Sequence, residues 1–236
     1  MPVAKHGNRS VSSRCGSADV LEALGVKVSL SPAEAGRCLD EVGVAFLFAP
    51  GFHGAMKHAA GTRQEIGIRT VFNILGPLTN PAGTPYQLVG VYDGALTGTL
   101  ASVLGRLGSK SAFVVHGEDG LDEVSLSGPT RVSRLAEGRV ETYSLSPEDL
   151  GLKRAPLEAV LGGDAGDNAR LTRNVLEGQE SPCRDIVLLN AALALAAAGK
   201  AASPREGVAL AAESIDSGAA LKRLEELVRY TGSSVA

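Results

Sequence analysis

Twice in this chain an apolar strand-like run, a helix with well-marked ends and a second apolar run follow one another, and that order restricts the fold more than any other feature of the sequence. In the first instance Val26-Lys27-Val28-Ser29-Leu30 alternates as a strand does. Ser31 then supplies an N-cap, Pro32 suits the first helical position and Glu34 completes a capping box, with the helix ending near Gly43. Val44 to Phe48 follows as a run suited to a buried strand. The second instance is Gln87 to Tyr92, a helix over Leu96 to Leu107, and Ser111 to His116. Strands joined through a helix must lie parallel, so the chain is expected to be α/β, with a mostly parallel central sheet covered by helices on both faces. Beyond Gly120 the short runs Glu123 to Leu126, Thr130 to Leu135 and Arg139 to Ser144 alternate between turn residues and predict antiparallel strands at one sheet edge. The last third predicts helices over Asp164 to Glu177, Cys183 to Ala198, Pro204 to Ser217 and Ala219 to Tyr230, broken at Gly178, Gly199 and Gly218. No repeat or low-complexity linker interrupts the chain, which predicts one α/β unit over residues 1–236.

The overall balance narrows the function. A formal net charge of −3 gives no broad basic surface, which argues against a general nucleic-acid binder. Cys15, Cys38 and Cys183 are far apart and odd in number, so neither a disulfide framework nor a zinc site is expected, and a reducing cytoplasm is the simplest setting. The most apolar stretch, Ile186 to Ala198, is short, rich in alanine and interrupted by Asn190. It predicts a buried helix, not a membrane span. The N-terminus has no apolar core of a secretory signal.

Three segments carry chemistry. Lys5-His6-Gly7-Asn8-Arg9-Ser10-Val11-Ser12-Ser13, with Gly16-Ser17-Ala18-Asp19 after it, combines cations, hydroxyls and glycines ahead of a helix over Asp19 to Leu24. That composition suits a phosphorylated ligand: glycines allow close approach, hydroxyls and N–H groups donate to phosphate oxygens, and Lys5 and Arg9 neutralise charge. The positive end of the helix is expected beside the same anion. The second segment, Glu118 to Glu123, follows a predicted strand ending at His116. There the adjacent carboxylates Asp122 and Glu123 could hold magnesium against ligand phosphates or form an ordinary acidic turn. The third runs from Phe52 through His53 and Arg63 to Pro81. Its Gly67 to Pro81 part, dense in turn formers, predicts a buried loop shaped by specific hydrogen bonds. Arg63 could meet a carboxylate bidentately, with His53 and Pro77 as flat walls, or these could be a surface arginine and a packing histidine. There is no G-x-S-x-G elbow, H-E-x-x-H helix or Walker phosphate loop.

Together, Lys5 to Asp19, Phe52 to Lys57, Arg63, Gly67 to Pro81, His116 to Glu123, Gly162-Gly163-Asp164, Asn168-Ala169 and Arg184 to Ala192 resemble anthranilate phosphoribosyltransferase, the second enzyme of tryptophan biosynthesis. The resemblance covers essentially the whole chain and implies the nucleoside phosphorylase and phosphoribosyltransferase fold. A pyrimidine-type nucleoside phosphorylase, with the same general architecture, is the alternative within it. Carried over by position, the resemblance implies that Lys5, His6, Gly7, Asn8, Arg9, Ser10, Val11, Ser12, Ser13 and Ser17 contact phosphoribosyl pyrophosphate (PRPP). It implies that Asn8 and Arg63 meet anthranilate, that His6, His53 and Pro77 line its channel, and that Asp122 and Glu123 bind Mg2+. No residue is implied as an obligatory general base. A homodimer and association with anthranilate synthase are implied as partners. The family's G-T-G-G-D turn and N-x-S-T segment, upstream of K-H-G-N-R, have no counterpart here, where Met1 stands just ahead of Lys5. The chain is therefore expected to be a family member without its N-terminal third: a fragment of a working transferase, an active short form, or a non-catalytic remnant that binds phosphate ligands.

Overall fold

The computed structural model describes residues 1–10, 14–54 and 72–233. In chain order its strands are β1 (Val3–Gly7), β2 (Val44–Phe48), β3 (Tyr86–Gly90), β4 (Ser111–Gly117), β5 (Thr130–Ala136) and β6 (Arg139–Leu145). Its α-helices are α1 (Ser17–Ala23), α2 (Pro32–Val42), the single turn α3 (Ala49–Phe52), α4 (Phe72–Leu78), α5 (Thr97–Arg106), α6 (Ala165–Leu176), α7 (Pro182–Ala197), α8 (Pro204–Asp216) and α9 (Ala219–Ser233). The α/β class follows, and tertiary contacts gather the chain into two compact units, each discontinuous in sequence. Residues 1–83, 162–176 and 218–236 make the first unit, and residues 84–161 and 177–217 the second.

In the first unit β1 and β2 pair in parallel, with Lys5 opposite Phe46 and Gly7 opposite Phe48. This corrects the expected partner of β2. Residues 26–30 do bury Val26, Val28 and Leu30 in alternation, but they form no strand. Alternating burial needs only an extended chain lying on a core, and the edge of β2 next to them in the expected topology is taken by the segment holding Lys5 and His6. Helix α2 begins as its sequence dictates: the Ser31 hydroxyl accepts from the Glu34 N–H and the Glu34 carboxylate accepts from the Ser31 N–H, with Gly43 closing the far end at φ 82°. Leu24, Val26, Leu30, Ala35, Cys38, Val42, Ala45 and Leu47 pack with Ala169 of α6 and with Leu224 and Leu227 of α9. Residues 72–78 form a helix, not the predicted loop, although Gly76 and Pro77 lie inside it. Its end is held by Asn80, whose side chain donates to the Ala4 carbonyl of β1 at 3.1 Å.

The second unit is one sheet in the order β3-β4-β5-β6. Strands β3 and β4 are parallel, as the intervening α5 requires, while β5 and β6 add the antiparallel edge. Residues 123–126 are not a strand; their hydrogen bonds go to side chains and to the turn around them. Phe113, Val115, Val132, Leu145, Leu189 and Leu193 form the core against α7. No helix among the described residues is long and apolar enough to cross a membrane.

Candidate functional site

In the first unit, the chain leaving β1 turns back sharply onto the start of α1. Gly7 makes this possible: a Cβ there would lie 2.4 Å from the Ser17 hydroxyl and 2.8 Å from the Phe46 ring. The Asn8 carbonyl accepts from the Ala18 N–H and the Ser17 hydroxyl, at 3.2 and 3.3 Å. Asp19 then draws both sides of the loop together, accepting from the main-chain N–H groups of Ser10 (3.1 Å) and Gly16 (2.8 Å) and from Arg9 (3.1 Å). Those two N–H bonds, with Arg9 adding to them, hold its carboxyl below the usual carboxylate range. Arg9 also meets Glu22 through two nitrogens, at 2.5 and 2.7 Å, and lies over the Phe48 ring. Exposed as it is, this ion pair shapes the loop more than it stabilises the protein. Lys5, Asn8 and Arg9 are exposed, while Ser10 and Ser17 are half-buried. Val11, Ser12 and Ser13 lie outside the described residues, as does Arg63.

A second cluster in the same unit forms around His6. Its Nε2 is 3.0 Å from Nε2 of His53, with the rings edge to face at 4.9 Å between centroids. Burial lowers the His6 pKa, His53 and Lys5 lower it further, and a hydrogen bond with the Gly76 main chain opposes them. One ring nitrogen of the facing pair donates and the other accepts, so the two imidazoles cannot both be protonated. Pro77 follows Gly76 in α4. Of the residues assigned to an aromatic acceptor, His6 and His53 therefore come together, with the helix that carries Pro77 alongside.

The acidic doublet belongs to the second unit. Asp122 and Glu123 are exposed on the segment that joins β4 to β5. Before them, Asp119 accepts from the hydroxyls of Ser125 and Ser127 and from the Leu121 N–H. Burial raises the Asp119 pKa, but these three bonds outweigh it and the carboxyl lies below its usual value. Behind them, Asn190 of α7 bonds to the main chain of Val124. Asn190, Asp119, Ser125, Asp19 and Glu22 were given no role from sequence. The one usable signal is Asn190 itself, a lone amide in the apolar stretch from Ile186 to Ala198, because an amide set among apolar neighbours must be paired with something.

The donor set fits Mg2+. Both residues are exposed and carry hard carboxylate oxygens, and Mg2+ is commonly held by one or two carboxylates, with waters and substrate phosphates completing its shell. Among the described residues no group of three or more His, Cys, Asp or Glu side chains gathers as a cation cage, as a softer metal would need.

Comparison with known proteins places this geometry in context. The family model described as "Glycosyl transferase family, a/b domain" matches residues 1–221. An anthranilate phosphoribosyltransferase of Moorella thermoacetica is 63% identical over 234 residues, covering 99% of this chain and 69% of the relative. That of Symbiobacterium thermophilum is 58% identical over 229 residues, covering 97% and 67%. Among solved structures, the anthranilate phosphoribosyltransferase of Thermus thermophilus superposes with a TM-score of 0.93 at 50% identity, covering 99% of this chain and 69% of that one. The Saccharomyces cerevisiae enzyme in complex with PRPP and Mg gives 0.88 at 31% identity, with 99% and 66% covered. The chain spans about two thirds of the length of these relatives.

Proposed function

The chain belongs to the anthranilate phosphoribosyltransferases, within the glycosyl transferase family a/b domain, and we propose that it transfers the 5-phosphoribosyl group of PRPP to the amine of anthranilate. The observation that carries this reading is 63% identity to an anthranilate phosphoribosyltransferase through 99% of the chain. The loop from Lys5 to Ser17 is the proposed PRPP grip: Lys5, Asn8 and Ser17 supply charge and polar donors, and Arg9, tied to Glu22, sets the loop's shape. The His6 and His53 cluster, with Pro77, is the proposed wall of the anthranilate channel, and Arg63 the proposed partner of the anthranilate carboxylate. Asp122 and Glu123 are the proposed Mg2+ ligands; bound there, Mg2+ would offset negative charge on the pyrophosphate.

In the reaction the bond between ribose C1 and the pyrophosphate oxygen breaks, and the anthranilate nitrogen forms the new bond to C1. The nitrogen then loses a proton to solvent, while the electron pair of the broken bond leaves with pyrophosphate. Because C1 becomes cationic as its bond loosens, the barrier is chiefly charge separation, and Lys5 would act on the developing anion. The amine already has its lone pair, so orientation by the acceptor wall takes the place of a strong base. Holding reactants in line contributes up to about 7–11 kcal/mol in the best cases. The neutral state favoured at His6 keeps positive charge away from an incoming aromatic amine.

A cytoplasmic setting accords with the three free cysteines, and a homodimer and contact with anthranilate synthase remain part of the proposal. The test is loss of anthranilate fluorescence with PRPP and Mg2+, matched to pyrophosphate release. Equal amounts consumed and released support the assignment. Anthranilate left unchanged at saturating PRPP and Mg2+ overturns it.

A further inference from the structure

We propose that Asn190 and Gly90 are positioning residues that aim the Asp122–Glu123 doublet, an inference that rests on the reading of that doublet as a metal site. The doublet lies between two braces, both in the second unit. On one side, the Asn190 side-chain oxygen accepts from the Val124 N–H at 2.9 Å. Its amide nitrogen donates to the Val124 carbonyl at 3.2 Å and to the Ile186 carbonyl of its own helix at 2.9 Å. Val124 is only 1% exposed, so water cannot replace those partners. The residue directly after Glu123 is thereby held at both its N–H and its carbonyl.

On the other side, the end of β3 presses on the doublet's main chain. A Cβ on Gly90 would lie 1.5 Å from the Asp122 carbonyl oxygen, so no residue but glycine fits without moving Asp122. The adjoining Val91 N–H is bonded to the Val115 carbonyl of β4, which leaves this strand end little room to yield. Asp122 is thus set by the sheet, and Val124 by a core helix. Between two such fixed points the two carboxylates have little backbone freedom. That is the requirement for an ion that tolerates small errors of geometry poorly. Asparagine suits position 190 because it offers an acceptor and two donors at once. Aspartate would keep the acceptor but set a negative charge against two carbonyl oxygens.

The test uses the 236-residue chain with Mn2+ as the probe, in the presence of inorganic pyrophosphate, its binding followed by electron paramagnetic resonance. Asn190→Ala and Gly90→Ala are expected to weaken Mn2+ binding by about tenfold or more, as loss of outer-shell support does in other metal sites. Asn190→Ala should also speed hydrogen exchange at the Val124 amide. Leu193→Ala, in the same helix and fully buried, serves as the control. It should lower the melting temperature while leaving Mn2+ affinity within about twofold of the parent. If Asn190→Ala does not fold, Asn190→Asp takes its place with the same expected loss. Folded Asn190 and Gly90 variants that bind Mn2+ like the parent overturn the proposal, as does an equal loss in Leu193→Ala. The combined Asp122→Asn and Glu123→Gln variant separates the two levels: if it binds Mn2+ normally, the metal reading falls and the proposal with it. If it loses Mn2+ while Asn190→Ala and Gly90→Ala retain it, positioning alone is refuted.

Discussion

Replacing Asp119 with alanine removes the acceptor around which the turn after β4 is built. The carboxylate takes the hydroxyl hydrogens of Ser125 and Ser127 on one oxygen and the Leu121 N–H, at 3.2 Å, on the other. Ser125 is completely buried, so its hydroxyl has no water to turn to. Bonds to an ionised group contribute about 1.5–3 kcal/mol each. The Ser125 and Ser127 oxygens lie 3.2 Å apart, so one hydroxyl re-pairs with the other and recovers part of the loss. Asp119 is also only partly buried, which reduces the figure further. The expected net cost is about 2–4 kcal/mol, or about 1–2 M in urea midpoint at a slope of about 2 kcal/mol/M. Urea unfolding followed by circular dichroism measures it. The pH dependence has a definite sign. The folded-state pKa is lowered, so the stabilisation is present above the unfolded carboxyl value of about 4 and disappears as pH falls through the folded value. Parent and variant should therefore draw together as pH falls below about 4. A cost below about 1 kcal/mol at about pH 7, or a difference that does not shrink as pH falls below about 4, would refute the reasoning.

Three further outcomes are expected. In NMR titrations the His6 imidazole should titrate below its ordinary value of about 6.5, and His53→Gln should move it only part of the way back, because burial is the larger cause. Its contribution to stability is then present above about pH 6.5 and lost as pH falls; titration at or above about 6.5 in the parent would contradict the paired geometry. Gly7→Ala should cost about 1–3 kcal/mol in calorimetric melting, since the buried Phe46 ring blocks the new methyl group, and an unchanged melting temperature would show that the turn at β1 is not close-packed. Cys38 is fully buried, with its thiol pKa raised by burial and then by Glu41, so iodoacetamide should label it only at the rate of unfolding. Rapid labelling of the folded protein would contradict that placement.

What could be read from the sequence was whatever depends on neighbours in the chain. The Ser31 and Glu34 capping box, the turn at Gly43 and the three helices that stop ahead of Gly178, Gly199 and Gly218 are local chemistry, and they recur in the structure to within a residue. The α5 crossover between β3 and β4 was legible for the same reason. Pairing across a distance was not. Val26, Val28 and Leu30 carry a strand's alternation without a strand's partner, while Val3–Gly7, with Lys5 and His6 at its middle and no alternation of apolar residues, pairs with β2. Gly76 and Pro77 signalled a loop, yet helix α4 holds them, with Asn80 fixing its end to β1. At the candidate site, residue types announced the segments: cations and serines near the N-terminus, two adjacent carboxylates after β4. The groups that shape those segments, Asp19, Glu22, Asp119 and Asn190, act through folding partners that composition does not reveal.

The central claim is that this chain binds PRPP, that Lys5 contributes to that binding and that Mg2+ at the Asp122–Glu123 doublet is needed for it. Calorimetric titration of PRPP into the chain, with Mg2+ and again with the metal chelated, tests it most directly. Saturable binding that needs Mg2+, is weakened by Lys5→Ala and is abolished by Asp122→Asn with Glu123→Gln is the predicted result. PRPP binding of equal strength without Mg2+, or unchanged in the doublet variant, would contradict it.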